Sequence, residues 1–297
     1  MYPMSELIHT LCYAFHMPLF MFVSGGLLYF TRVQKGWKTS ALYIDKLKRL
    51  MLPYLFFTVI TFVIKGCLSS YTKRGVDTSF NGLIQAFVDP ANGPLGEMWF
   101  IGTLMWLMFM YPVYRAAMKW QWTELLLLAV TLLPLIFSPQ LHIDGWFNIK
   151  AVPSYAFFFF GGMLFFKYRL YSWFDNRLWP AIVLTIIFPI LPLLGFNDHL
   201  FTPTIGILMS LAWGVWIADR FPKLFSSFRD HSFQIFLVGI FPQMFVELFL
   251  WKRLHHEWLQ IPYYLLSCVL ALAFAVAVSR MASRIKTPWL RWCFGLK

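Results

Sequence analysis

Two histidines and a tyrosine share one face of an apolar helix near the N-terminus. His9 and His16 are seven residues apart, about two helical turns, and Tyr13 lies between them. Imidazole has an ordinary pKa of about 6.5, so a histidine can accept and release a proton near neutral pH. A polar side chain within a membrane is expected to face the bundle interior. This spacing predicts either a general base at His16 or a histidine that only makes a structural hydrogen bond.

The residues after His16 favour a bend and a close helix contact. Pro18 has no backbone N–H, so the helix is expected to loosen or kink near His16. Ser24, Gly25 and Gly26 are small, which allows a neighbouring helix to approach.

Other chemistries have no support in the sequence. His255 and His256 are adjacent and the remaining histidines are scattered, which is not the spacing of metal ligands. The four cysteines lie in predicted helices or in the C-terminal tail and are expected to be reduced thiols. The sequence also lacks a P-loop, a dinucleotide fingerprint and a Gly-x-Ser-x-Gly motif. It predicts neither a metal site nor a bound cofactor.

The composition predicts that membrane-spanning helices position His9, Tyr13 and His16. Hydrophobic residues make up 59% of the chain and charged residues 13%, whereas a soluble domain has roughly 25% charged residues. Apolar runs of about 17 to 25 residues recur, the length with which a helix crosses the hydrocarbon core. The predicted fold class is all-α, a polytopic integral membrane helical bundle of about nine transmembrane helices.

Short links between these runs predict a single domain over residues 1–297. The predicted spans are Leu7–Phe30, Met51–Leu68, Met98–Tyr114, Trp122–Phe137, Val152–Phe166, Leu178–Leu194, Phe201–Ala218, Ser232–Leu250 and Pro262–Ser279.

The distribution of charge predicts the orientation in the membrane. The net charge is +12, and 19 of the 25 lysines and arginines lie in alternate loops. By the positive-inside rule those loops are cytoplasmic, which places Lys297 inside and Met1 outside a cell or inner membrane. The basic excess thus indicates topology and anionic lipid rather than nucleic acid. A helix that begins in the cytoplasm is expected upstream of Met1, so the chain is expected to be truncated or its start assigned late.

Four segments resemble acyltransferase family 3, a family of membrane proteins. The segment Phe15–Gly25 resembles that family's "F-H-M-P-L-F-F-F-x-S-G" pattern. Lys46–Tyr54 resembles a basic "R-x-x-R-L-x-x-P" stretch, with Lys46 in place of the first arginine. Met98–Ile101 is similar to "L-W-F-L", and Phe158–Gly161 to "F-x-x-G".

The resemblance implies transfer of an acyl group, usually acetyl, from cytoplasmic acyl-CoA to a hydroxyl of an envelope sugar or lipid-linked glycan. Acyl-CoA is then a donor substrate, and the other partners are that acceptor and membrane lipids. His16 is the candidate catalytic base. Lys46 and Arg49 are placed to bind the CoA phosphates, or they are an ordinary positive-inside anchor. Trp99 and Tyr155 are candidate site residues, with interfacial aromatic residues as the alternative.

Two departures from the family leave other functions open. Family members begin with a further helix that holds an arginine and a histidine, and Gly239 occupies a position where the family has a histidine. These departures favour a catalytically inactive fragment. A transporter or flippase is the third hypothesis, because Pro180, Pro189 and Pro192 can kink helices around a polar site.

Overall fold

Helices form almost all of the structure. The computed structural model describes residues 3–67, 77–90, 93, 96–137, 146–194, 198–226, 229–251 and 259–296. The protein is 84% helical, and no strand occurs among these residues. The helices are α1 (Pro3–Leu28), α2 (Thr39–Lys46), α3 (Leu52–Cys67), α4 (Phe80–Val88), α5 (Trp99–Phe109), α6 (Tyr111–Ala117), α7 (Gln121–Phe137), α8 (Val152–Lys167), α9 (Trp179–Leu193), α10 (Phe201–Arg220), α11 (Ser232–Val238), α12 (Ile240–Phe245), α13 (Gln260–Ser283) and α14 (Pro288–Cys293).

The helices confirm the predicted membrane fold. Five described segments are long and apolar enough to cross a membrane: Thr10–Val33, Thr39–Cys67, Trp146–Lys167, Phe201–Arg220 and Ile261–Ser283. Three shorter apolar helices are Gln121–Phe137, Trp179–Pro192 and Ser232–Phe245. The protein is therefore a helical membrane bundle.

Two of the predicted spans are interrupted. The span predicted at Met98–Tyr114 is divided at Met110 into α5 and α6. Pro112 lies in the first turn of α6 and has no N–H with which to continue the helix. The span predicted at Ser232–Leu250 is divided at Gly239 into α11 and α12 and continues as a π-helical turn.

The chain forms two compact units that interleave in sequence. Unit 1 comprises Met1–Tyr43 and Gly102–Pro222, and unit 2 comprises Ile44–Ile101 and Lys223–Lys297. In unit 1, α1 packs against α8 and α10, α8 also contacts α7, and α9 contacts α10. In unit 2, α13 packs against α11 and α12, and α3 contacts α4 and α14.

Glycines allow α1 and α8 to cross backbone against backbone. A Cβ on Gly25 would overlap the carbonyl oxygen of Phe159, and a Cβ on Gly162 would overlap that of Phe22. The close approach predicted from the small residues after His16 is confirmed. Phe22 also packs in a buried cluster with Leu135, Phe158 and Ile207.

A buried ion pair joins α7 to the end of α8. Glu124 is 2% exposed and pairs with the ammonium group of Lys167. The hydroxyl of Tyr168 donates to the same carboxylate at 2.6 Å, and this hydrogen bond raises the pKa of Tyr168. A buried carboxylate is tolerated only when it is paired in this way, so the three residues fix the ends of α7 and α8 together.

Aromatic and polar contacts hold unit 2 together. The hydroxyl of Tyr54 on α3 donates to the carbonyl of Phe87 at 2.7 Å. Ser79 caps α4 by accepting a hydrogen bond from the Gly82 N–H at 3.1 Å. The ring of Phe294, which follows α14, meets the Phe57 ring edge-on with 5.8 Å between centroids. The C-terminal segment is therefore part of the packed unit.

Candidate functional site

His16 has a hydrogen bond that defines its neutral tautomer. The imidazole Nδ1 lies 2.8 Å from the Cys12 carbonyl oxygen, one turn earlier on α1. A carbonyl can only accept, so Nδ1 carries the proton and the lone pair of the neutral ring is on Nε2. Tyr13 packs edge-on against the same ring, with 4.7 Å between centroids, which confirms their predicted shared face. In this tautomer Nε2 is the basic nitrogen of the neutral His16 ring.

His16 lies on the side of α1 that faces away from α8. Gly25, at the α8 crossing, is nine residues later, and nine steps of about 100° place it on the opposite side of the helix. The His16 side chain is half-buried and that of Tyr13 is 63% exposed. His16 is therefore outside the α1–α8 contact. The side chain of His9 lies outside the described residues.

Tyr155 and His16 lie at similar heights along α8 and α1, before the point where the two helices cross. The rings of Phe30 and Phe166 meet with 5.5 Å between centroids, and both residues follow the crossing in sequence. The helices α1 and α8 consequently run parallel, and both His16 and Tyr155 precede the crossing by about two turns. Tyr155 is half-buried.

A strained turn begins the helix that carries Tyr155. Phe147 and Asn148 both adopt left-handed backbone conformations, with φ of 58° and 57°. Asn148 is 4% exposed, and its Nδ2 donates to the Thr103 hydroxyl on α5 at 2.8 Å. Such conformations persist only where surrounding contacts impose them. This turn fixes the start of α8.

The basic segment at the end of α2 is held by the C-terminal helix. Lys46 is the last residue of α2, and Arg49 lies in the π-helical turn that follows. The Arg49 Nε lies 3.4 Å from the Asp45 carboxylate, which leaves the Nη edge of the guanidinium out of this pair. The Lys48 ammonium lies over the Trp292 ring of α14, 4.6 Å from its centroid.

The structure contains a second basic group that the sequence analysis missed. The Arg32 guanidinium stacks on the Trp37 ring at 3.6 Å. Arg115 Nη1 and the Tyr111 hydroxyl both donate to the Trp37 carbonyl, at 3.1 and 2.9 Å. Trp37 within a basic loop was the only local sign of this group in the sequence. Its contact with Arg115 could not be predicted, because the two residues are 78 positions apart.

The predicted site residues are divided between the two units. His16 and Tyr155 belong to unit 1, whereas Lys46, Arg49 and Trp99 belong to unit 2. Trp99 is the first residue of α5, and its ring meets that of Phe100 with 6.4 Å between centroids.

Comparison with known families decides the class of protein. The model of the family described as an acyltransferase domain matches residues 2–280. The chain belongs to acyltransferase family 3. It is accordingly a membrane acyltransferase, as the resemblance of its first helix implies. The chain matches no curated protein and no solved structure.

Packing around Gly239 accounts for one departure from the family pattern. A Cβ at this position would come within 2.5 Å of the Ile235 carbonyl oxygen and 3.6 Å of the Ala271 side chain. A histidine would therefore crowd the contact between the α11–α12 break and α13.

Proposed function

We propose that the protein transfers an acetyl group from acyl-CoA to a hydroxyl group of an envelope sugar or lipid-linked glycan. The observation that carries the proposal is the tautomer of His16, which places the lone pair of the neutral imidazole on Nε2 in a membrane acyltransferase. As the acceptor oxygen attacks the acyl carbonyl carbon, its proton passes to Nε2. The bond between the acyl carbon and the CoA sulfur breaks, and CoA leaves as a thiol with that proton. The bond from Nδ1–H to the Cys12 carbonyl keeps the ring oriented.

The charge that develops on the carbonyl oxygen needs a hydrogen-bond donor. Tyr155 is the candidate donor in unit 1, because its phenol is half-buried and lies at about the same height along the parallel helices α1 and α8 as His16. The strained turn at Phe147 and Asn148 sets the position of its helix. Placing the donor on a fixed helix end limits the reorganisation needed during the reaction.

The basic segment of unit 2 is the proposed binding site for the CoA phosphates. We expect Arg49→Ala to weaken CoA binding by roughly ten- to a hundredfold, because a hydrogen bond to a charged group contributes about 1.5 to 3 kcal/mol. The Kd for CoA, measured with purified protein in detergent, provides the test. The loss of the partly buried pair with Asp45 has little effect on folding, since ion pairs between residues four apart on a helix contribute about 0.3 to 0.5 kcal/mol.

Arg220→Ala is the matched control for Arg49→Ala. Arg220 is exposed at the end of α10, on the same predicted side of the membrane. Equal CoA affinity in folded Arg49→Ala and wild-type protein would reduce the basic segment to a topology signal.

Cytoplasmic acyl-CoA, the proposed acyl donor, can reach the basic segment only if the basic loops face the cytoplasm. In a cysteine-free background, we expect a membrane-impermeant maleimide to label the Asp77→Cys variant in intact cells. The Lys223→Cys variant should react only after the membrane is permeabilised. Both positions are exposed, so the side of the membrane decides reactivity. Labelling of both variants from outside would refute the orientation.

A further inference from the structure

His231 and Ser279 form a hydrogen-bonded pair in unit 2, apart from the residues discussed above. His231 Nδ1 lies 2.8 Å from the Ser279 hydroxyl oxygen, although the residues are 48 positions apart. His231 directly precedes α11, and Ser279 lies near the end of α13, which packs against α11. Ser279 is 1% exposed and His231 is half-buried. The pair is therefore part of the packed interior of the unit.

Local hydrogen bonding does not account for the pair. His231 occupies the N-cap position of α11, but its side chain makes no capping hydrogen bond. Ser210 and Ser283 donate to carbonyls of their own helices, as helical serines commonly do. The Ser279 hydroxyl instead meets an imidazole nitrogen. A hydroxyl within hydrogen-bonding distance of a base is the arrangement that activates a serine nucleophile.

Buried polar atoms of Gln234 and Arg291 lack hydrogen-bond partners within the described part of this unit. Gln234, one turn after His231, is 3% exposed, and its Nε2 donates to the Phe294 carbonyl at 2.8 Å. Its Oε1 has no partner, and neither has the buried Nε of Arg291 on α14. Leaving such atoms unsatisfied is unfavourable, and a bound polar group would satisfy them. Gln234 offers an acceptor and Arg291 a donor.

The segment after α14 connects the pair with the basic segment. Gly295 has φ of 69°, which favours glycine. A Cβ there would overlap the ring of Phe233 on α11 and lie 3.6 Å from the Arg49 carbonyl oxygen. The helix that follows His231 and the segment that carries Arg49 therefore contact the same C-terminal residues.

We propose that Ser279 is a nucleophile that accepts the acyl group from an acyl thioester, with His231 as its base. This inference rests on the proposed function, which supplies acyl-CoA as the donor. The Ser279 oxygen attacks the thioester carbonyl carbon and its proton passes to His231 Nδ1. The carbon–sulfur bond breaks, and the CoA sulfur leaves with that proton as a thiol. The products are an ester on Ser279 and free CoA, and burial protects the ester from water.

Cys293 on α14 is another buried nucleophile of this unit. Burial raises the pKa of its thiol, which disfavours the reactive thiolate. Ser279 is the better candidate because an imidazole is in contact with its hydroxyl.

Acyl labelling of the wild-type protein tests the inference without depending on a variant. The purified full chain is incubated with isotope-labelled acetyl-CoA, quenched in acid, digested, and analysed by mass spectrometry, while released CoA thiol is measured in parallel. We expect the label on the Ser279 peptide. Ser279→Ala should abolish it, and His231→Gln should slow its formation by about 100-fold or more. Ser283→Ala, one turn later on α13, is the matched control and should label as the wild type does.

The outcomes separate this inference from the proposed function. Label on Ser279 that also persists in His16→Gln protein supports a separate acyl-enzyme step. Transfer of acetyl to glycan without label on Ser279, or label on another residue, overturns the inference and leaves the proposed function intact. If folded protein neither binds CoA nor releases it from acetyl-CoA, the Ser279 inference and the proposed function are both wrong.

Discussion

The His16→Gln protein is expected to transfer acetyl to its acceptor about 100-fold or more slowly than the wild type, because general-base catalysis typically contributes 10² to 10⁴ in rate. Glutamine retains hydrogen-bonding capacity but cannot exchange a proton near neutral pH. The measurement is the incorporation of radiolabelled acetyl from acetyl-CoA into the glycan fraction of membrane vesicles that contain the protein.

His199→Gln is the control for this substitution. His199 is exposed and lies in the same unit, so replacing it tests the effect of losing an imidazole elsewhere. The His199→Gln protein should transfer acetyl at the wild-type rate. If His16→Gln protein is folded and transfers acetyl at the wild-type rate, His16 is a packing residue and the base lies elsewhere.

Gly162→Ala is expected to lower the melting temperature of the purified protein strongly, whereas Gly161→Ala should leave it nearly unchanged. The added methyl group at 162 would overlap the Phe22 backbone, but at 161 the nearest atom is a ring carbon of Phe22 at 3.9 Å. Overpacking typically costs 1 to 3 kcal/mol, and a backbone neighbour that cannot rotate away places this case at about 3 kcal/mol or above.

Thermal unfolding in detergent, together with the yield of monodisperse protein, measures the difference between these neighbouring glycines. Equal melting temperatures for the two variants would show that α1 and α8 can separate at little cost. The crossing would then not be the fixed contact on which the positions of His16 and Tyr155 depend.

Local patterns in the sequence predicted the helices and part of their packing. Long apolar runs specify membrane helices because the backbone must satisfy its own hydrogen bonds in lipid. The small residues at 24–26 predicted the close contact of α1, which the structure shows between Gly25 and Phe159. The breaks at Met110 and Gly239 were not anticipated, because the apolar runs continue through both positions and were given more weight than Pro112 and Gly239.

Local sequence patterns do not predict contacts between residues that are far apart in the chain. Glu124 was not recognised as a buried charge because its partners, Lys167 and Tyr168, are more than forty residues away. The same holds for His231 and Ser279, which are 48 positions apart in the chain. His16 is a candidate from the sequence because Pro18, the small residues at 24–26 and the ring of Tyr13 lie close to it in the chain, and its role stays a prediction. The division of the site residues between two units follows from tertiary packing alone.

The interleaving of the units imposes an order on biosynthesis. Helix α3 packs against α14, yet Cys67 ends the first and Pro288 begins the second. At about 5 to 20 residues per second, the ribosome needs on the order of 10 to 40 s to make the intervening chain. Throughout that interval the face of α3 that will receive α14 must be covered by lipid or by an insertion factor. Unit 2 therefore completes its packing only after α14 has been synthesised, when the whole of unit 1 has already left the ribosome.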